Sequence, residues 1–561
     1  MKNFLHKELV KTIIVLLLIC IFGVFYWQTI MSLPLFGDAT IHGANATTLL
    51  EKGWGSLNAD YPALYYYLMA NLYTFFGDKG YNLVPYTGFL FLLLSTFLFV
   101  RQITKSYYTG LLAIILVGAS PKLIYYVARM YQEILLSALF IFCIYLMFKY
   151  LETKKRNALL LFSFFIGLTL SIKQQGLFIL YPSIIFFFFI IFLRKGVSFF
   201  DFATITTVPL LICFSFYGVL FHTVGLIQPG SDEFGGLKLV NTVGQKIFTY
   251  NENDNTALYD MNLNNHDIVG IDNYSDPLEV ELENIGTKYS QTAFIRGESR
   301  HILPTEVITN FQKFNQANSL YIDVQGIQLE RPTLLFISFF SILGGFIYCI
   351  YKYKIYSNLL IFTLIFLPIN YALFIRNSDQ QRYQLFIPIF VVIYLCIFLK
   401  FLLNRIHINR YLAVFSIIFF IIFLFIPILS SRVLANENWA GSQIYSPSIG
   451  GIASIEEAGN WFKENTNQKT LIGQECGDEL HYYSDRNVSG DWRIYFLKTT
   501  DLKTYFAHTN ISYYVIYKSQ LVNDKDWVST CWVPMSFYKR MQLNFPEIYT
   551  TKAKDIIIYK V

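Results

Sequence analysis

Long, continuous apolar stretches separated by short polar ones dominate this chain. They are continuous rather than alternating, and most approach the roughly 20 residues that a helix needs to cross a hydrocarbon layer of ~30 Å. Membrane helices are therefore expected, not barrel strands. Spans are expected near residues 12–31, 83–100, 108–125, 134–148, 158–172, 177–193, 203–221, 333–350, 358–374, 383–398 and 411–429. That makes about eleven crossings. The organisation that follows is an N-terminal membrane module over 1–222 with a long first loop at 32–82, a polar insertion at 223–332, a second set of spans over 333–430, and a soluble domain over 431–561. In that last part, residues 455–462 have helical spacing, while 470–472, 513–517 and 555–559 read as strands. A small α+β domain is expected there.

Composition removes the soluble alternative: 54% of residues are hydrophobic, 15% are charged, and mean hydropathy is +0.42. Orientation follows from Lys and Arg, which collect in short cytoplasmic loops. Lys2, Lys7 and Lys11 precede the first span, and Arg101 with Lys105, Lys154-Lys155-Arg156, Arg194 with Lys195, Lys352 with Lys354, and Lys400 with Arg405 and Arg410 follow alternate spans. A cytoplasmic N-terminus at the cell membrane then puts the 32–82 loop, the insertion and the C-terminal domain outside the cytoplasm. The first span reads as a retained signal anchor. The net charge of +6 is this bias, and no basic-aromatic stripe suits nucleic acid. Five of the seven cysteines lie in apolar spans; Cys476 and Cys531 fall in the outer domain, where a disulfide is permitted. No metal-like Cys or His spacing is present. The polar runs 251–255 and 262–267 lack the spacing of an EF-hand loop and read as solvated loop or, alternatively, as a Ca²⁺ site.

Candidate chemistry gathers in the loops assigned to the outer side. Asp38 stands just beyond the first apolar run, in Gly37-Asp38-Ala39-Thr40-Ile41-His42, and Asp60-Tyr61-Pro62 precedes an aromatic helix with Leu64, Tyr65, Leu68, Met69 and Leu72 on one side. Ser120-Pro121 begins a junction that runs through Arg129 to Glu133, and Lys173 follows the fifth span. Lys122, Arg129, Lys173, Arg376 and Arg382 are cations beside hydrocarbon, where charge is costly and needs an offset. A phosphate at headgroup depth supplies one, taken by Arg as a fork and by Lys as a point charge. Each residue also has a plain reading. Asp38 caps a helix; Arg129 and Glu133 form an i,i+4 pair; Lys173 snorkels; Tyr61, Tyr65 and Tyr66 are interfacial aromatics; His42 is structural.

These stretches resemble the polyprenyl-phosphate-sugar-dependent glycosyltransferases of GT-C fold, the broad family of the protein O-mannosyltransferases and the lipid A aminoarabinose transferases. The resemblance implies an all-α polytopic membrane fold with a small extracytoplasmic domain. It implies transfer of a sugar from a polyprenyl-phosphate donor to a glycan, lipid or protein hydroxyl of the cell envelope. Asp38 would be the general base in an inverting single displacement, with Glu133 as second acid. His42, Tyr61, Arg129, Lys173 and Arg382 would contact substrate, the cations stabilising the departing phosphate. No cofactor or metal is needed, because only a monophosphate leaves. The sequence departs from the family pattern in having Asp38-Ala39 where many members have two adjacent acids, and Asp60-Tyr61-Pro62 where many have His-Pro-Pro. Rival readings are a polymerase or ligase of lipid-linked oligosaccharides, a transporter or flippase, and a non-catalytic scaffold. Spans nearly free of interior charge argue against the transporter.

Overall fold

The computed structural model describes residues 2–32, 38–52, 63–77, 79–128, 130–173, 176–194, 197–224, 343–376, 387–405, 452–474, 477–490, 494–495, 499–522 and 533–561. The chain forms two compact units: Met1–Leu33 with Asn45–Lys246 and Ile302–Leu434, and Pro34–Ala44 with Ile247–His301 and Ala435–Val561. The expected insertion beyond Val224, its polar runs, the span at 411–429 and the Cys476/Cys531 pair lie outside the described residues.

Helices build the first unit: α1 (Lys2–Ser32), α2 (Asp38–Lys52, of which this unit takes the part from Asn45 on), α3 (Ala63–Phe76), α4 (Lys79–Thr104), α5 (Tyr107–Gly118), α6 (Pro121–Ala128), α7 (Gln132–Thr153), α8 (Arg156–Ile172), α9 (Leu177–Arg194), α10 (Phe199–Val224), a helical stretch at 343–351, α11 (Tyr353–Arg376) and α12 (Ile387–Arg405). Among the described residues, Glu8–Trp27 within α1, α4 and α7 are long and apolar enough to cross a membrane. Shorter apolar stretches lie in α5, α8, α9, α10, α11 and α12. One expected span needs correction. Residues 108–125 form two helices, because α5 stops at Gly118 after 12 residues and α6 starts at Pro121. At ~1.5 Å per residue α5 is about 18 Å long, well short of a hydrocarbon layer. Proline explains the break: it has no N–H to continue a helix yet suits the first helical position. Ser120 caps the new helix, its Oγ accepting from the Leu123 amide at 3.4 Å.

Helix α4 is the hub, packing against α1, α3, α5 and α7. Gly88 lets α4 and α7 cross closely, since a Cβ there would stand 3.0 Å from the Leu135 Cα. A cluster of phenylalanines fills part of the interior: Phe140 of α7, Phe362 and Phe366 of α11 and Phe390 of α12 pack with ring centroids such as 5.3 Å (Phe140–Phe366) and 4.9 Å (Phe366–Phe390). Without a hydrophobic drive between helices in lipid, such contacts and close backbone approach hold the bundle. One end of these helices is rich in ion pairs. Glu8 holds Lys11 and Arg101, and Lys105 pairs with Glu152. These pairs are partly exposed and contribute little.

In the second unit, the C-terminal part alternates helices and strands: α13 (Ile452–Asn465), β1 (Leu471–Gly473), α14 (Asp478–Ser484), β2 (Asn487–Ser489), α15 (Thr499–Thr509), β3 (Ile511–Tyr517), β4 (Leu521–Val522), β5 (Val533–Pro534), α16 (Met535–Asn544), β6 (Glu547–Thr550) and β7 (Ile556–Lys560). The main sheet runs β2-β1-β3-β7-β6, with β2, β1 and β3 parallel and β7 and β6 joined antiparallel. Period-two alternation sends Tyr514, Ile516, Ile557 and Tyr559 to one core, with Phe506 of α15 and Phe537 of α16. Val515, Tyr517, Ile556 and Ile558 face the other, with Ile455 and Phe462 of α13. Strands and helix are where expected, but the sheet is mixed and helices cover both faces, a finer arrangement than the α+β class anticipated.

Candidate active site

The chemistry centres on a tight corner between α6 and α7. Helix α6 closes with the Met130 amide donating to the Val127 carbonyl (3.1 Å) and the Tyr131 amide to the Tyr126 carbonyl (3.3 Å). Those two bonds make a Schellman motif, normally closed by a left-handed glycine. Here Met130 takes that conformation, at φ +55°, which costs an L-residue ~1–2 kcal/mol. The usual apolar contact across the motif is present as well, with the Tyr126 and Tyr131 rings 5.4 Å apart. Tyr131 is the N-cap of α7, so Glu133 falls in that helix's first turn.

Glu133 is 1% exposed and its Oε1 accepts from Lys173 Nζ at 2.6 Å. Lys173 stands at the C-cap of α8, its amide bonded to the Thr169 carbonyl at 3.2 Å. The antiparallel neighbours α7 and α8 thus bring an anion at a helix N-terminus against a cation at a helix C-terminus. Both positions suit the helix dipoles, each by ~0.3–1 kcal/mol. Glu133 and Glu152 lie in the first and last turns of α7, so about 28 Å of helix separates this pair from the ion pair at Glu152.

Tyr65 of α3 completes the cluster. Its hydroxyl donates to the Met130 carbonyl at 2.7 Å, and its side chain is fully buried. Burial, and after it the Glu133 carboxylate nearby, push the phenol well above its usual range, so Tyr65 is a neutral donor. Tyr65 and Tyr66 do not present their rings to lipid as interfacial aromatics would: both are covered by protein at 0% exposed, and of Tyr65, Tyr66 and Tyr67 only Tyr67 is open, at 44%. The α3–α4 packing is extended by Tyr73 stacked on Tyr81 at 4.9 Å. Tyr81 in turn shares a 2.6 Å hydrogen bond with Thr47 of α2.

Asp38 is the first residue of α2, and His42 sits one turn later and is buried, 6% exposed. The single helix expected to carry both Arg129 and Glu133 is absent: α6 ends at Ala128 and α7 begins at Gln132. Arg129, Tyr61 and Arg382 themselves lie outside the described residues. The structure thus joins Glu133 and Lys173, forty positions apart, and adds Tyr65 and Met130, which the sequence reading had not placed at the site. The signal for Tyr65 was its position on the apolar side of α3.

The sequence matches no protein-family model and no curated protein. Solved structures do share the architecture. The transferase ArnT from Cupriavidus metallidurans in the apo state superposes with a TM-score of 0.60 at 9% identity, covering 98% of each chain. The fold is GT-C. ArnT bound to undecaprenyl phosphate matches with a TM-score of 0.50 at 11% identity, over 97% of each chain. The oligosaccharyltransferase AglB from Archaeoglobus fulgidus, in complex with an inhibitory peptide and a dolichol-phosphate, gives 0.54 at 11% identity, covering 90% of this chain and 69% of AglB.

Proposed function

We propose that this protein is a membrane glycosyltransferase that moves a sugar from a polyprenyl-phosphate donor to a hydroxyl of a cell-envelope glycan, lipid or protein. The buried Glu133–Lys173 pair on a GT-C scaffold carries the reading. A part-buried ammonium at a helix end is a preset partner for a phosphate monoanion, and Glu133 keeps it compensated before donor arrives. The bundle end opposite the Lys- and Arg-rich loops is taken as extracytoplasmic by the positive-inside bias. Similarity to chains solved with dolichol-phosphate and undecaprenyl phosphate supports the donor class.

In the mechanism proposed, the donor phosphate lies at headgroup depth beside Lys173, with Arg129 and Arg382 joining from adjacent loops. Asp38 accepts the proton of the acceptor hydroxyl as its oxygen attacks the anomeric carbon. The sugar–phosphate bond breaks with inversion, and the cations stabilise the charge growing on the leaving phosphate. His42, one turn from Asp38 in α2, and Tyr61 contact the acceptor or donor. A polymerase of lipid-linked oligosaccharides would not depend on Asp38.

Transfer of labelled sugar from a panel of polyprenyl-phosphate donors, by protein in lipid, tests the reading. Asp38→Asn is expected to lower transfer about 10²–10⁴-fold while binding of the donor survives. Equal transfer by the variant, or no donor bound by the wild type, would overturn it.

A further inference from the structure

We propose that Tyr65 is a positioning residue that sets donor affinity through the α6–α7 corner without touching substrate; this deepens the glycosyltransferase reading and rests on it. The corner has an intrinsic weakness. Met130 occupies the left-handed position of a Schellman motif where glycine is the usual occupant. Its own carbonyl is taken by the Tyr65 hydroxyl at 2.7 Å in a fully buried setting. Three residues later the chain delivers Glu133 to Lys173. Nothing but the N-cap Tyr131 and Gln132 lies between the clamped carbonyl and the acid, so a shift of the corner moves Glu133 with it.

The clamp comes from a different part of the chain: α3 belongs to the loop after α1, and the bond spans 65 positions. Tyr65 therefore ties the first loop to the acid–cation pair. The pair's geometry decides how strongly Lys173 is held by Glu133 and how much of its charge a phosphate meets. Loss of the single hydroxyl leaves a buried carbonyl without its donor and lets the corner relax, while the ring and the packing of α3 stay.

Tyr65→Phe tests this. The donor KM is expected to rise roughly five- to tenfold, the equivalent of one buried hydrogen bond, with kcat within about twofold of wild type. In a Lys173→Gln background the same substitution is expected to change KM no further, because the route to the phosphate is already cut. An undiminished effect in that background, or a fall in kcat at unchanged KM, would make Tyr65 merely structural and sink the proposal. Amide hydrogen exchange of residues 130–134, measured without donor, supplies an independent arm. Faster exchange in Tyr65→Phe supports the clamp, and unchanged exchange overturns it whatever the kinetics. If exchange responds but the wild-type protein binds no polyprenyl-phosphate sugar, the clamp stands and the donor reading falls.

Discussion

Replacing Lys173 by Met will destabilise the helical bundle by about 3–5 kcal/mol, and replacing Glu133 by Gln will cost somewhat less. Glu133 is almost entirely buried, whereas Lys173 is 16% exposed with a flexible stem. The carboxylate left behind by Lys173→Met stays buried without the ammonium that stood 2.6 Å away. The ammonium left by Glu133→Gln can turn part-way out. The double substitution Glu133→Gln with Lys173→Met should recover most of the lost stability, since a neutral pair of similar volume no longer carries an uncompensated charge. Sugar transfer should not recover with it. Thermal unfolding in detergent and labelled transfer, run on the three variants, separate the two roles. Stabilities that simply add, with the double variant the weakest, would mean that the pair is not coupled. Transfer retained by the stable double variant would remove Lys173 from the donor site.

That pair shows both the reach and the limit of the sequence. Counting crossings placed Glu133 and Lys173 on the same side of the membrane, and helix ends were visible in Ser120-Pro121 and in the charged clusters between spans. The meeting of the two side chains was not visible, because nothing local links positions 133 and 173. Only the antiparallel packing of α7 on α8 does so. The local reading instead joined Glu133 to Arg129, four residues back, on the assumption of one continuous helix. The assumption failed because Met130 adopts a left-handed conformation that its residue type does not advertise. A glycine there would have announced the corner. Tyr65 was misassigned for a related reason. An amphipathic aromatic helix in a loop after a span has the same pattern whether its apolar side meets lipid or protein, and here the side with Leu64, Tyr65 and Met69 is covered by protein. In the C-terminal domain the β-branched and aromatic runs were decisive, so β3 and β7 were legible. The two- to four-residue strands β2, β4, β5 and β6 carry too few alternating positions to stand out.

Arg486→Ala will unfold the edge of that C-terminal domain, at a cost of about 4 kcal/mol. Arg486 is 5% exposed, yet among the described residues its partners are neutral oxygens and no carboxylate. Its Nη2 donates to the carbonyls of Phe462, Lys463 and Thr466 at 3.4, 3.3 and 2.8 Å, which close the C-terminal end of α13. Nη1 reaches the Ser484 and Asp485 carbonyls at 3.3 and 3.0 Å, at the end of α14, and Nε reaches Thr466 Oγ1 at 3.1 Å. One guanidinium thereby satisfies the last carbonyls of two helices, and its charge is offset by the negative ends of both dipoles. Alanine takes this donor from the Thr466, Ser484 and Asp485 carbonyls, while the Phe462 carbonyl keeps the Thr466 amide and hydroxyl at 3.0 and 2.7 Å. Lysine keeps the charge but not the fork, so Arg486→Lys should recover less than half of the loss. Hydrogen exchange across 459–466 and 482–487 in the full-length protein reads the effect directly. Protection that persists in Arg486→Ala would mean that water can replace the guanidinium. Loss of protection that spreads from both helix ends into β1 would identify Arg486 as the tie that joins α13 and α14 over one face of the sheet.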